Sequence, residues 1–313
     1  GVEGGLLTVH GTEGNQDFEI SHSEFTDSCD GLFMGQIKNC KFHHNYVDNC
    51  SDDGFNLSAN WTQEENTAYG NIQIYRNLLS RCLTLFAFGG KSEGNKKRAG
   101  SGVYIFRNVI DQRIPVFSGP PKDKEGAAEA MRYRGQMMGD HGHGLWEPVL
   151  FYQNTLLSQF SSERGIYGLG TVRYCGSKWR VLNNLFVQIE KPLATAIFST
   201  GDGPDFLTDY NLHWSFQEGA DVSDDEFINQ VQNEARRLAR ADGRSEVGVE
   251  NCANWAVHDL VANPKFEKLP LDWRQPTDVR LKAGSPAIDR GGEIPREWPD
   301  PLREVDKGKP DIG

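Results

Sequence analysis

The sequence predicts an all-β fold, a parallel β-helix (solenoid) with loop insertions and one helical insertion, and three observations carry that expectation. A unit of one apolar residue, two variable residues and Asn recurs along the chain. The segments around it are short and rich in Val, Ile, Phe and Tyr, as strands are. The intervals between copies vary upward from a short minimum, as they do when loops are inserted into one face of a repeating coil.

The copies are Phe42-His43-His44-Asn45, Ile74-Tyr75-Arg76-Asn77, Ile105-Phe106-Arg107-Asn108, Phe151-Tyr152-Gln153-Asn154 and Val181-Leu182-Asn183-Asn184. Ile20-Ser21-His22-Ser23 carries Ser in the Asn place, and Thr208 to Asn211 is a degenerate last copy. The same phase sets Phe25, Val47, Leu79, Ile110, Leu156 and Phe186 two places beyond. Intervals run from 22 residues, a bare coil, to 46. Asn suits the bends because it tolerates left-handed backbone angles, and Asn side chains stacked at the spacing of adjacent strands can bond one another along the axis.

Three stretches break the period as polar loops: residues 61–70, 89–101 and 117–147. Residues 223–241 differ in kind. Ser223 and Glu226 form a capping-box pattern, and Phe227, Ile228, Val231, Ala235, Leu238 and Ala239 recur at helical spacing up to Asp242-Gly243. The expected organisation is β-helix coils over 1–214, a helical insertion packed on them over 215–250, and a last coil with C-terminal tail over 251–313.

Composition narrows the function classes. A hydrophobic content of 37% with 11% aromatic residues is enough to build a core. A net charge of −11 argues against general nucleic-acid binding. No apolar run approaches the ~18 residues of a membrane span. The six Cys form no C-x-x-C pair; Cys29, Cys50 and Cys82 hold nearly the same place in successive coils, to stack or to pair as a disulfide. The opening Gly1-Val2-Glu3-Gly4-Gly5 runs directly into an apolar segment, so a missing N-terminal segment or a partner chain is expected over the first coil.

The densest acidic segment is Asp48 to Asn56, one coil after Asp27-Ser28-Cys29-Asp30-Gly31. Stacking brings Asp30 close to Asp52 and Asp53. Like charges there repel, and Ca²⁺, which takes hard oxygen ligands, relieves the repulsion. The alternative is an Asp-Asp-Gly turn with solvated side chains. Lys91, Lys96, Lys97 and Arg98 form a locally positive cluster, and Arg76 and Arg107 occupy the same place in successive repeats, so a positive groove for a polyanion is expected. Asp140-His141-Gly142-His143, followed by Trp146, is a second candidate, either a loop, a catalytic His or a metal site. Trp146 and several Tyr offer stacking faces to sugars.

The tail, from Asn263-Pro264-Lys265-Phe266 through Gly284-Ser285-Pro286-Ala287-Ile288-Asp289 to Pro310-Asp311-Ile312-Gly313, resembles the ending of secreted right-handed parallel β-helix proteins, the pectate-lyase-like superfamily. That resemblance implies a right-handed coil, a secreted, periplasmic or cell-surface location and a carbohydrate substrate. Asp52-Asp53-Gly54-Phe55-Asn56-Leu57 is similar to the Asp-Asp-Gly-Phe-Asp-Leu segment of polysaccharide lyase family nine, whose members cleave pectate-type polyuronates with Ca²⁺ and a lysine base. The resemblance implies Ca²⁺ ligands at Asp52, Asp53 and Asn56, with Asp30 from the preceding coil. Asn56 stands where the family has Asp. Ala87 falls near the family's lysine, and Lys91 lies just beyond the Gly89-Gly90 pair.

The expected activity is therefore β-elimination of an acidic polysaccharide, with Ca²⁺ at Asp30, Asp52, Asp53 and Asn56. Lys91 is the base, and Arg76 and Arg107 bind carboxylates. A glycoside hydrolase using two of the same carboxylates, a C5-epimerase, and a non-catalytic carbohydrate-binding, adhesion or assembly subunit are the alternatives.

Overall fold

The computed structural model describes residues 5–9, 15–35, 37–58, 70–89, 98–113, 136–140, 145–146, 148–158, 178–189, 207–216, 222–241, 250, 252–305 and 307–313. Among these, two long sheets dominate, one of 11 strands and one of 9, and every ladder in them is parallel. Each repeat lays a strand in each sheet. Ile37–His43, Gly70–Tyr75, Arg98–Phe106, Val149–Tyr152, Trp179–Leu182 and Leu207–Asp209 precede the Asn position and build the smaller sheet. Tyr46–Ser58, Leu78–Gly89, Val109–Gln112, Thr155–Ser158, Leu185–Gln188 and Leu212–Ser215 follow it and build the larger. Parallel neighbours need a long return rather than a hairpin, and the repeat length supplies it. The arrangement is consistent with a parallel β-helix.

The repeat phase is also the strand register. Phe25 pairs Val47, Val47 pairs Leu79, and the column continues through Ile110, Leu156 and Phe186 to His213. In the smaller sheet Ile20, Phe42, Ile74, Ile105, Phe151, Val181 and Thr208 form a second column. Residues from Val47 to Phe186 in the first column and from Phe42 to Val181 in the second are at most 1% exposed, so the two columns face each other across the core. A one-residue slip would turn each column outward, which is why the register is strongly specified.

Between the columns runs a continuous asparagine ladder. The backbone N–H of Ser23 donates to Asn45 Oδ1, Asn45 to Asn77, Asn77 to Asn108, Asn108 to Asn154, Asn154 to Asn184 and Asn184 to Asn211, at 2.9 to 3.0 Å. Each Asn Nδ2 in turn donates to a carbonyl of an earlier coil, as Asn108 does to Ile74 and Asn154 to Ile105, both at 3.0 Å. The residue before each ladder position has a left-handed backbone: His22, His44, Arg76, Arg107, Gln153, Asn183 and Tyr210, with φ between 53° and 57°. Two shorter columns of the same kind flank it in the first coils: Asp17, Asn39, Asn71 on one side and Asp27, Asn49, Arg81 on the other. Asn39 Nδ2 donates to Asp17 Oδ1 at 3.0 Å and Asn49 Nδ2 to Asp27 Oδ1 at 2.6 Å, so Asx side chains bind the bends together coil by coil.

A single α-helix among the described residues, α1 (Asp224–Ala241), follows Ser223, whose Oγ accepts from the Glu226 N–H at 3.3 Å. Its Phe227, Val231 and Ala235 are buried, and the Phe227 ring lies 4.5 Å from that of His213. No helix among the described residues is long and apolar enough to cross a membrane.

The C-terminal segment has little regular structure beyond an antiparallel pair, Phe266–Lys268 with Asp278–Leu281. It lies along the ladder-bend side of the sheets. Ile312 is fully buried with Leu157 and Leu185, and Asp300 takes both Nε and an Nη of Arg107 at 3.0 Å. Ile294 and Trp298 cover an outward aromatic stack of Tyr75, Phe106 and Tyr152, whose ring centroids are 4.9 and 5.0 Å apart.

Cys40, Cys50 and Cys82 are free thiols. Cys50 and Cys82 are in direct register, but Ser28 rather than Cys29 stands opposite Cys50, so the expected three-cysteine stack has only two members. Burial pushes the Cys82 thiol well up, which keeps it protonated.

Candidate functional site

The acidic segment sits where the long strand Tyr46–Ser58 turns a corner. Its register with Leu78–Gly89 shifts between Cys50 and Asp53, a bulge that leaves Asp52 outside the ladder. The preceding coil supplies Asp30, at the head of Asp30–Gly35. Two glycines set how closely these coils meet. A Cβ on Gly31 would lie 2.7 Å from the Gly54 carbonyl, and one on Gly54 would lie 2.9 Å from the Leu85 carbonyl. The Asp-Gly pairs at 30–31 and 53–54 are therefore a packing requirement as well as a turn signal.

Backbone and side chains are tied together here. The Asp52 N–H donates to the Cys29 carbonyl at 2.9 Å, the Asp53 N–H to Asp30 Oδ1 at 3.1 Å, and the Ser28 hydroxyl to the Asp30 carbonyl at 2.6 Å. Asp53 turns inward to full burial, where its Oδ2 accepts from Asn56 Nδ2 at 2.7 Å. Asp30 and Asp52 stay half-buried and converge with the Cys29 thiol, the three offering ligand atoms within 4.8 Å of one another. Two carboxylates at that distance repel unless a cation or proton lies between them. The oxygen donors suit a hard divalent cation. Cys29 adds a softer donor.

The structure thus brings Asp30 and Asp52 together, sets Asp53 and Asn56 as a buried pair behind them, and adds Cys29. Its thiol was missed because the repeat phase assigned it to a cysteine stack. Its adjacency to Asp30 is the signal that points to it.

Arg76 and Arg107 do not join this cluster. They stand on the ladder bends, before the strands that lead to the acidic corner, and line a separate cleft of about 730 Å³ against the C-terminal segment, to which none of Asp30, Asp52, Asp53 or Asn56 contributes. The expectation of one continuous groove is corrected accordingly: the bend residues and the corner residues lie at opposite ends of the strand between them. Arg107 is moreover held by Asp300. His43, beside the first Asn bend, is 2.9 Å from Glu19 and stacks on Tyr75 at 4.7 Å.

Trp146 is also corrected. It is 2% exposed and packs against Phe88, and its carbonyl accepts from Trp179 Nε1 at 2.9 Å, so its ring belongs to the core rather than to a sugar-stacking surface. Lys91, Lys96, Lys97, His141 and His143 lie outside the described residues. Arg98 begins the strand Arg98–Phe106, paired with Leu145. No protein-family model, curated protein or solved structure matches the chain.

Proposed function

We propose that the chain is a right-handed parallel β-helix enzyme, secreted, periplasmic or displayed at the cell surface, that cleaves an acidic, uronate-type polysaccharide by β-elimination at the Asp30–Asp52 corner. The observation that supports this reading is the convergence of Asp30 and Asp52, with Cys29, within 4.8 Å on two glycine-packed turns. Asp30 and Asp52 would hold a divalent cation, Ca²⁺ by their hard oxygens, with Asp53 and Asn56 as the buried pair behind them. A cation bound there neutralises the substrate carboxylate and stabilises the charge that gathers on it.

The chain's own residues do the rest. Asp53 and Asn56 brace the turn from behind. Lys91, the first cation beyond the strand Leu78–Gly89, takes the proton from the carbon next to the carboxylate. The electron pair forms a carbon–carbon double bond, the bond to the glycosidic oxygen breaks, and that oxygen leaves with a proton. The products are a new reducing end and an unsaturated uronate.

The test is ultraviolet absorbance of the unsaturated product during incubation with a panel of polyuronates, with added Ca²⁺ and with a chelator. A chelator-sensitive rise that disappears in Asp52→Asn and in Lys91→Ala supports the reading. Reducing ends without the absorbance would transfer the same carboxylates to hydrolysis, and no product from any polyuronate would sink the proposal. Equilibrium dialysis against Ca²⁺, Mn²⁺ and Zn²⁺ then reads whether the Cys29 thiol biases the site toward a softer ion.

A further inference from the structure

The cleft between the ladder bends and the C-terminal segment carries an inference independent of the cleavage reading, since no residue of the acidic corner lines it. Its volume of about 730 Å³ falls within the range of small-ligand sites. One wall is the row of left-handed bends, Arg76, Arg107 and Gln153. The other is the segment around Trp273, Asp278 and Arg280, with apolar side chains such as Leu78 and Leu157 between.

Two features of this cleft point to a ligand. The first is Gln153. It is 2% exposed, yet its Oε1 is buried with no hydrogen-bond partner among the described residues. It lines both this cleft and a second one of about 700 Å³ on the side of Asp300 and Arg303. Buried amide oxygens are nearly always satisfied, so one left open toward a cavity marks the place of a missing donor.

The second feature is charge. Arg107 is paired with Asp300, Arg113 with Asp111 and Arg280 with Asp278. Arg76 is exposed and has no carboxylate partner among the described residues. It stands two bends from Gln153, and at ~4.8 Å per parallel step the two side chains bracket a ligand of roughly one to two sugar rings. Half-buried Trp273 lines the facing wall, one side of its ring taken by the Arg274 guanidinium at 4.7 Å.

The geometry points to a binding site for a short acidic saccharide, its carboxylate on Arg76 and a ring hydroxyl donating to Gln153 Oε1. This is a second saccharide site, on the opposite side of the intervening strands from the acidic corner.

Calorimetric titration of the full chain with glucuronate, galacturonate and their disaccharides, and with glucose as the neutral control, tests it. A uronate is expected to bind at least ten-fold more tightly than glucose. Arg76→Gln, which places at this bend the residue that Gln153 already shows to be tolerated in the same conformation, is expected to erase that preference. Gln153→Leu is expected to weaken both ligands, and its thermal unfolding without sugar shows whether the fold is kept. With a chelator present, so that the acidic corner holds no cation, Asp52→Asn is expected to leave binding in this cleft unchanged. Equal affinity for uronate and glucose, unchanged uronate binding in Arg76→Gln, or loss of binding in Asp52→Asn would each overturn the assignment. The last outcome would place the sugar at the acidic corner instead.

Discussion

Asp259 ends the ladder for Asn211. The Asn211 backbone N–H donates to Asp259 Oδ1 at 2.8 Å, the same bond that each earlier ladder residue makes to an Asn. The other carboxylate oxygen lies 2.8 Å from His213 Nε2, and both side chains are buried. A ladder Asn must accept on one side and donate on the other. The last position has no later coil to bind, so a carboxylate held by His213 serves there.

This difference sets the first prediction. Asn108→Asp keeps the acceptor for Asn77 but removes the Nδ2 donor to Ile74 and Asn154 and buries a charge, at 1% exposure. It is expected to cost about 2–4 kcal/mol in urea unfolding. Asp259→Asn keeps the acceptor and is expected to cost about 1 kcal/mol or less, because the His213 tautomer can adapt. Equal costs would contradict the directional reading of the ladder.

The tail should be released by breaking one clasp. Arg107 and Asp300 are 16% and 6% exposed and meet through two bonds. Asp300→Ala removes both of these bonds from a largely buried guanidinium, so a loss of about 2–3 kcal/mol is expected. Limited proteolysis should then cut first between 290 and 313. Arg280→Gln, which breaks a solvent-exposed pair with Asp278, should leave the unfolding midpoint unchanged.

Close approach of the coils at the acidic corner is testable through glycine. Gly54→Ala drives a Cβ to within 2.9 Å of the Leu85 carbonyl, a backbone atom that cannot swing away. Destabilisation of about 1–3 kcal/mol is expected. Weaker cation binding than in the wild type should accompany it, because Asp53 and Asp30 are displaced together. Undiminished binding would show that the cation does not depend on this spacing.

Tyr46 should titrate late. Burial and the Asp48 carboxylate beside it push its phenol up to about 12. The unfolded chain ionises first, so stability conferred by the neutral phenol is complete below about pH 10 and is lost as pH rises through about 12. Burial raises Tyr75, Tyr104 and Tyr152 as well, so ultraviolet titration should show several late tyrosines, of which the one lost by Tyr46→Phe should move down in Asp48→Asn. An unchanged titration in that variant would assign the shift to burial alone.

The architecture was legible because a coil's neighbour in space is the next repeat in sequence. Phe42, Ile74, Ile105 and Phe151 recur in the order in which they stack, so their phase along the chain is their register in the sheet. The helix 223–241 was legible for a similarly local reason, its cap and apolar period lying within one segment. The flanking left-handed columns were not recognised, although Asp17, Asn39 and Asn71, and likewise Asp27 and Asn49, repeat at the ladder's own intervals. Trp146 was misplaced because a loop-like sequence around it hides a short strand paired to Arg98–Phe106.

By itself, then, the amino-acid sequence determined the parallel coils, the asparagine ladder and the neighbourhood of Asp30 with Asp52, since each depends only on residues one repeat apart. The tertiary structure decided where the C-terminal segment returns. The Arg107–Asp300 and Arg113–Pro270 contacts span 193 and 157 residues and follow no period. That return path closes a cleft over Arg76 and Gln153, separates the arginines from the acidic corner, and so makes two candidate sites where the repeat phase alone suggested one groove.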